Sequence, residues 1–175
     1  MATEKQAYRV VRRENELEIR YYPSAVVAAV PVAGGYDAMR YGGFQELAGY
    51  IFGNNTAGAK IAMTAPVIME LDPAEQAAGT MAFVMPADFD YDRRPQPRSS
   101  AVDVRRTAPV YAAVVTFGGF GSRRDMEAHR DRLFALLDAR GLRYDPRAEY
   151  RMFDPPFRLL GRRNEVAVRL LDFAE

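Results

Sequence analysis

The chain reads as an α+β fold: a duplicated β-β-α-β-β unit forming a distorted antiparallel β-barrel or curved sheet with two main helices. Two observations predict it. Runs of period-two apolar residues recur along the chain, whereas only two stretches carry the helical period. An apolar strand leads into Gly34-Gly35-Tyr36 and a helix in the first half, and a second leads into Gly118-Gly119-Phe120 and a helix in the second. On this reading residues 1–175 make one domain, with repeat halves at about 17–86 and 102–173.

Tyr8–Arg13 and Leu17–Tyr22 alternate around Glu14-Asn15-Glu16 and predict a short hairpin. Pro23-Ser24 breaks the run, and Ala25–Val32 is a nearly all-apolar strand, as expected of one covered on both faces. From Tyr36 an amphipathic helix runs to Phe52 and stops at Gly53-Asn54-Asn55, residue types that tolerate the left-handed conformation. Phe44, Leu47, Ala48 and Ile51 fall at i, i+3, i+4 and i+7 and are expected to form its core face, with Tyr41 and Phe52 widening the arc. Gly42, Gly43 and Gly49 interrupt it, at a cost of about 1 kcal/mol each relative to alanine. Either a close-packed strand or a flat apolar ligand accounts for them.

Ile61–Leu71 returns to period two, with Pro66 marking an edge, a bulge or a break between two short strands. A turn over Asp72–Gly79 and a strand at Met81–Met85 come next, then a long exposed loop, Pro86–Ser100. Val102–Arg106 and Val110–Phe117 are strands. The second helix runs from about Ser122 to Arg140, with Ser122 as N-cap, Met126, Leu133 and Leu137 inward, and Gly141 as stop. Tyr150–Phe153, a bend at Asp154-Pro155-Pro156 and a closing strand over Glu165–Phe173 complete the pattern.

A hydrophobic content of 49% with 27% charged residues is that of an ordinary globular protein. The net charge of +1 argues against a nucleic-acid partner. Without cysteine there is no disulfide, thiolate metal site or cysteine nucleophile. No signal-peptide pattern and no apolar stretch of about 20 residues appears, which predicts a soluble, cytoplasmic protein. Oligomeric state is not readable.

The one histidine, His129, lies on or beside the apolar face of the second helix; it is either a packed residue or a haem-iron ligand. No Gly-x-Ser-x-Gly sequence and no phosphate-cradling glycine loop accompanies it. Met39, Met63, Met69, Met81 and Met85 gather around the first half and suit either core filling or a planar ligand. Arg40, Lys60, Arg162 and Arg163 are either solvated charges or partners for ligand carboxylates.

Glu18-Ile-Arg-Tyr-Tyr-Pro23, then Gly43-Phe-Gln-Glu-Leu-Ala-Gly-Tyr-Ile-Phe-Gly-Asn-Asn55 with Lys60-Ile-Ala-Met-Thr-Ala-Pro-Val67, form a specific pattern. Phe83-Val-Met-Pro86, Phe117-Gly-Gly-Phe120, Asp154-Pro-Pro-Phe157 and Gly161-Arg-Arg-Asn-Glu-Val166 continue it through nearly the whole chain. The sequence thereby resembles the SOUL haem-binding protein family, whose architecture is similar to that of GyrI-like effector-binding domains. The resemblance implies a duplicated β-α-β fold and a shallow apolar cleft for haem or another tetrapyrrole beside the first helix. Mapped by the helix end at Gly53-Asn54-Asn55, the lining positions are Tyr41, Phe44, Ala48 and Gly49, where animal members carry basic and methionine side chains. Lys60 and Met63 complete the expected set. The function expected is binding of haem or a related tetrapyrrole in that cleft, without catalysis. The alternatives are an effector-binding or buffering domain for another flat hydrophobic small molecule, and a hydrolase using a tyrosine or a glutamate such as Glu165.

Overall fold

Residues 2–74, 77–155 and 157–175 are described by the computed structural model. Glu75 and Gln76 of the expected Asp72–Gly79 turn, and Pro156 of the expected bend, lie outside them, as does Met1. In chain order the elements are β1 (Glu4–Lys5), β2 (Arg9–Glu14), β3 (Leu17–Tyr22), β4 (Val26–Ala33), α1 (Tyr36–Ile51), β5 (Thr64–Ala65) and β6 (Val67–Leu71). They continue with β7 (Ala78–Val84), β8 (Asp103–Arg106), β9 (Val110–Phe117), α2 (Arg123–Asp138), β10 (Glu149–Met152) and β11 (Asn164–Arg169). Pro66 does separate two short strands, β5 and β6.

Two compact units result. The first, Met1–Gln6 with Ser24–Ala108, holds antiparallel strands in the order β6-β7-β4-β8, with α1 laid on β4 and β7. The face of β4 and β7 under the helix is built from alternate residues: Val30 stands opposite Met81 and Ala28 opposite Phe83. A short parallel pair, β1 with β5, completes the unit. The second unit, Ala7–Pro23 with Pro109–Glu175, orders its strands β2-β3-β9-β11-β10, again antiparallel, with α2 on β9 and β11. Each unit therefore contains a strand, a helix and two strands in succession. The α+β class with two main helices is what forms, and within each unit the strands make an open row, from β6 to β8 in the first and from β2 to β10 in the second, not a closed barrel.

One expected placement differs. Leu17–Tyr22, read as the lead strand of the first half, pairs with β9 in the second unit, and β8, read as the lead strand of the second half, pairs with β4 in the first. The charges on β3 supply the physical reason. Arg20 stands opposite Ala112 on β9, and its guanidinium reaches Glu165 on β11 at 2.9 Å. The apolar strand Val26–Ala33 carries no carboxylate to offer it.

Candidate functional site

The first helix starts without a side-chain cap, at Gly35, with Asp37 placed favourably in its first turn. It ends where Gly53 turns left-handed at φ 118° and the Asn54 N–H donates to the Gly49 carbonyl. Asn55 is wholly buried and anchors the segment that leaves the helix. Its amide donates to the Tyr50 and Ala59 carbonyls at 2.9 and 2.8 Å, and its oxygen accepts from the Ala57 and Ala59 N–H groups. The Ile61 N–H donates to the Ile51 carbonyl, so Lys60 is held beside the helix end. The expected Pro86–Ser100 loop braces the same end: Tyr50 donates to the Pro95 carbonyl at 2.9 Å, and Arg98 Nε donates to the Asn55 carbonyl at 3.1 Å.

The inward face is Tyr36, Met39, Gly43, Leu47, Tyr50 and Ile51. This corrects the expected set, because Phe44 is 40% exposed and Ala48 only half-buried. Gly43 explains itself. A Cβ there would sit 2.6 Å from Val32 Cγ1 and 3.1 Å from Met81, so the close-packed strand accounts for this glycine. Gly42 and Gly49 are different, since a Cβ would meet nothing within 4 Å at the first and only Asn54 at 3.9 Å at the second.

Tyr41, Phe44, Ala48 and Phe52 fall at i, i+3, i+7 and i+11, a second apolar stripe turned outward. Tyr41 is 67% and Phe52 62% exposed. Phe44 is steadied by an edge-on contact with Phe83, ring centroids 5.3 Å apart. Gly49 is half-buried beside the stripe, Lys60 is exposed at the helix end, and Met63 is half-buried three residues on. Arg40 and Lys60 make no ion pair among the described residues.

A family model described as "SOUL heme-binding protein" matches residues 3–169. The chain belongs to the SOUL heme-binding protein family. Human heme-binding protein 2 is 30% identical over 155 residues, covering 85% of this chain and 75% of that protein. Heme-binding protein 1 of Xenopus laevis is 28% identical over 164 residues, 90% of this chain and 82% of that protein. Among solved structures, the C-terminal domain of EcmrR shares the fold at a TM-score of 0.67 and 10% identity, with 95% of this chain and 99% of that chain covered.

Other candidate residues of this SOUL family member lie in the second unit. Glu165, a candidate acid, is 0% exposed and fully engaged. It accepts from Arg20 at 2.9 and 3.0 Å, from Arg163 at 2.5 and 3.1 Å, and from Thr116 at 3.3 Å. Burial opposes the charge on Arg20, yet Tyr22, Glu165 and Glu18 hold its pKa above the ordinary value. Burial also pushes the Tyr22 hydroxyl up, with Arg151 and Arg20 pulling against it. Arg151 lies 4.5 Å over the Tyr22 ring and is paired with Glu149. His129 is a packed residue: its ring is stacked 3.7 Å from Phe117 and its Nδ1 donates to the Asp125 carbonyl at 2.7 Å. Arg163 is committed to Glu165, and Arg162 is buried with its guanidinium 5.1 Å over the Phe120 ring. No group of three His, Asp or Glu able to hold a metal ion occurs among the described residues, and none of their helices is long and apolar enough to cross a membrane.

The positions implied by the family resemblance, Tyr41, Phe44, Ala48 and Gly49, lie on one outward side of one helix, with Lys60 held beside its end. Sequence reasoning missed Asn55 as the anchor of that end and Phe83 as the support of Phe44. A buried asparagine repeating the polar character of a helix stop was the available signal for the first. For the second no local signal existed, since the contact joins residues from a helix and a distant strand.

Proposed function

We propose that this protein binds haem or a related tetrapyrrole against the outward side of α1, through Tyr41, Phe44, Ala48, Gly49 and Phe52, without turnover. The observation that carries the reading is the outward apolar stripe, whose Tyr41, Phe44 and Phe52 stay exposed and which no ion pair among the described residues covers. Gly42 and Gly49 add no side chain to it and leave its surface low between the aromatic rings. The residues fit a planar, largely apolar group with peripheral carboxylates. Arg40 and Lys60 are the cations available to those carboxylates, and Met63 is a half-buried thioether nearby in sequence. No histidine or cysteine occurs in Ser24–Ala108, and the grip proposed is on the ring face. Membership of a family whose relatives are named heme-binding proteins supports the ligand class. When bound, the group supplies iron redox chemistry and visible absorption, while the chain supplies surface and counter-charge. The absence of turnover is supported by Glu165, whose carboxylate is buried and shared by two arginines, leaving it no route to solvent as an acid or base.

The test is a titration with hemin, following the Soret band, repeated with iron-free protoporphyrin by fluorescence. Saturable binding of both is expected, because the grip is apolar. Phe44→Asp is expected to weaken each by about tenfold or more, the loss of one aromatic contact plus a buried charge. No saturable shift at micromolar hemin, or equal affinity in Phe44→Asp, would overturn the reading.

A further inference from the structure

We propose that the outward side of α1 is also an interface between two copies of this chain, laid helix against helix in antiparallel order. The contact belongs to the free protein and does not rest on the haem reading.

Charge makes the first argument. Asp37 lies four residues before Tyr41, on the same side of the helix and in its first turn, and is exposed. At the other end Lys60 is exposed, where the Ile61 N–H ties its segment to the Ile51 carbonyl at 2.8 Å. Neither residue makes an ion pair among the described residues. A two-fold axis across the middle of α1 sets Asp37 of each copy beside Lys60 of the other, so both charges find partners at both ends. The helix dipoles then run in opposite directions as well. Parallel copies would set Asp37 against Asp37 and Lys60 against Lys60, a like-charge arrangement that repels. A helix from another protein would need the reverse order of charges, which a second copy carries by symmetry.

Relief makes the second argument. With the axis midway between Tyr41 and Phe52, those two rings meet, Phe44 lies over Gly49 of the other copy, and Gln45 over Ala48. Each large side chain then faces either another ring or a position without bulk. A Cβ at Gly49 would meet only Asn54, at 3.9 Å, so the hollow that receives Phe44 is open. Packing within the chain leaves that glycine unexplained, whereas between copies it is the hole for a knob.

The size of the contact sets its strength. Helix α1 has 16 residues and is about 24 Å long, so one side of it covers well under the roughly 800 Å² per partner of a standard interface. The pair is therefore weak and exchanges quickly, with a dissociation constant on the order of 100 μM. The surface holds one occupant at a time: a tetrapyrrole bound there excludes the second copy.

The experiment is sedimentation equilibrium of the full chain without hemin, from about 10 to 500 μM, a range that brackets that constant. A monomer–dimer equilibrium that weakens as salt is raised is expected. Asp37→Lys alone and Lys60→Asp alone should each associate about tenfold more weakly, because each sets like charges at both ends of the pair. Both should melt as the parent does, since both side chains lie in water. Mixed in equal amounts, the two variants should pair again as strongly as the parent, because every end contact is once more between opposite charges. A parent chain that stays monomeric throughout the range, single variants that associate as the parent does, or a mixture no stronger than its components would each overturn the proposal. With no hemin present, a failure of haem binding in its own titration leaves this result untouched.

Discussion

The two helices sit on their own sheets in the same way and differ in what they show to solvent. In α2 one face is buried, Met126, Leu133 and Leu137, and the start is capped by Ser122, which accepts from the Asp125 N–H. Its outer side is laced with ion pairs: Arg123 with Glu127, Arg130 with Asp131, and Arg132 with Glu16 on the β2–β3 turn. Each of those features is explained by helix stability and burial alone. The first helix buries more residues, lacks a side-chain cap, and places Tyr41, Phe44 and Phe52 where α2 places charges. Folding accounts for all of α2 and for only one side of α1. The surplus is where a ligand has something to gain.

The comparison breaks first at the core. Leu47 and Leu133 are each wholly buried, so Leu47→Ala and Leu133→Ala should each cost about 2–5 kcal/mol in urea unfolding. If Leu47→Ala were nearly neutral, α1 would not be seated as described and its outer side would have to be reassigned. The glycines sharpen the same contrast. Gly43→Ala forces a methyl against the stiff Val32 side chain and should destabilise by roughly 1–3 kcal/mol. Gly42→Ala enters open space on a helix and should stabilise by about 0.4–1 kcal/mol. Opposite signs at adjacent residues are the expected result of thermal and urea melts. Two losses would mean that Gly42 is also packed, and that the helix has no low surface between its outer rings.

The sequence made α2 fully legible, because only one of its faces is apolar and a single face is all that periodicity can name. With α1 the same method chose Phe44, Leu47, Ala48 and Ile51, and two of those four were misplaced. Apolar residues lie on both sides of that helix, so the spacing fits two rotations and only tertiary packing decides between them. Gly43 held the answer, though a glycine in a helix reads as a defect until Val32 is seen against it. Strand partners were less legible still. The alternation of Leu17–Tyr22 identifies a strand without naming its neighbour, and the pairing of Arg20 with Glu165 spans 145 residues. The stop at Gly53, the break at Pro66 and the cap at Ser122 were readable because each is a local backbone requirement.

The smallest change in stability carries the sharpest test. Tyr41→Ser and Phe52→Ser alter side chains that are mostly in water, so unfolding should shift by no more than about 0.5 kcal/mol. Ala135→Ser, on the exposed side of α2, should be equally silent. Stability therefore treats the outer sides of the two helices alike. Hemin affinity should not: both α1 variants should bind several-fold more weakly, roughly one lost aromatic contact each, while Ala135→Ser binds as the parent chain does. Loss of binding without loss of stability can only come from a surface that meets the ligand. Equal affinity across all three variants would leave the stripe on α1 unexplained by haem and return it to the question of what else covers it.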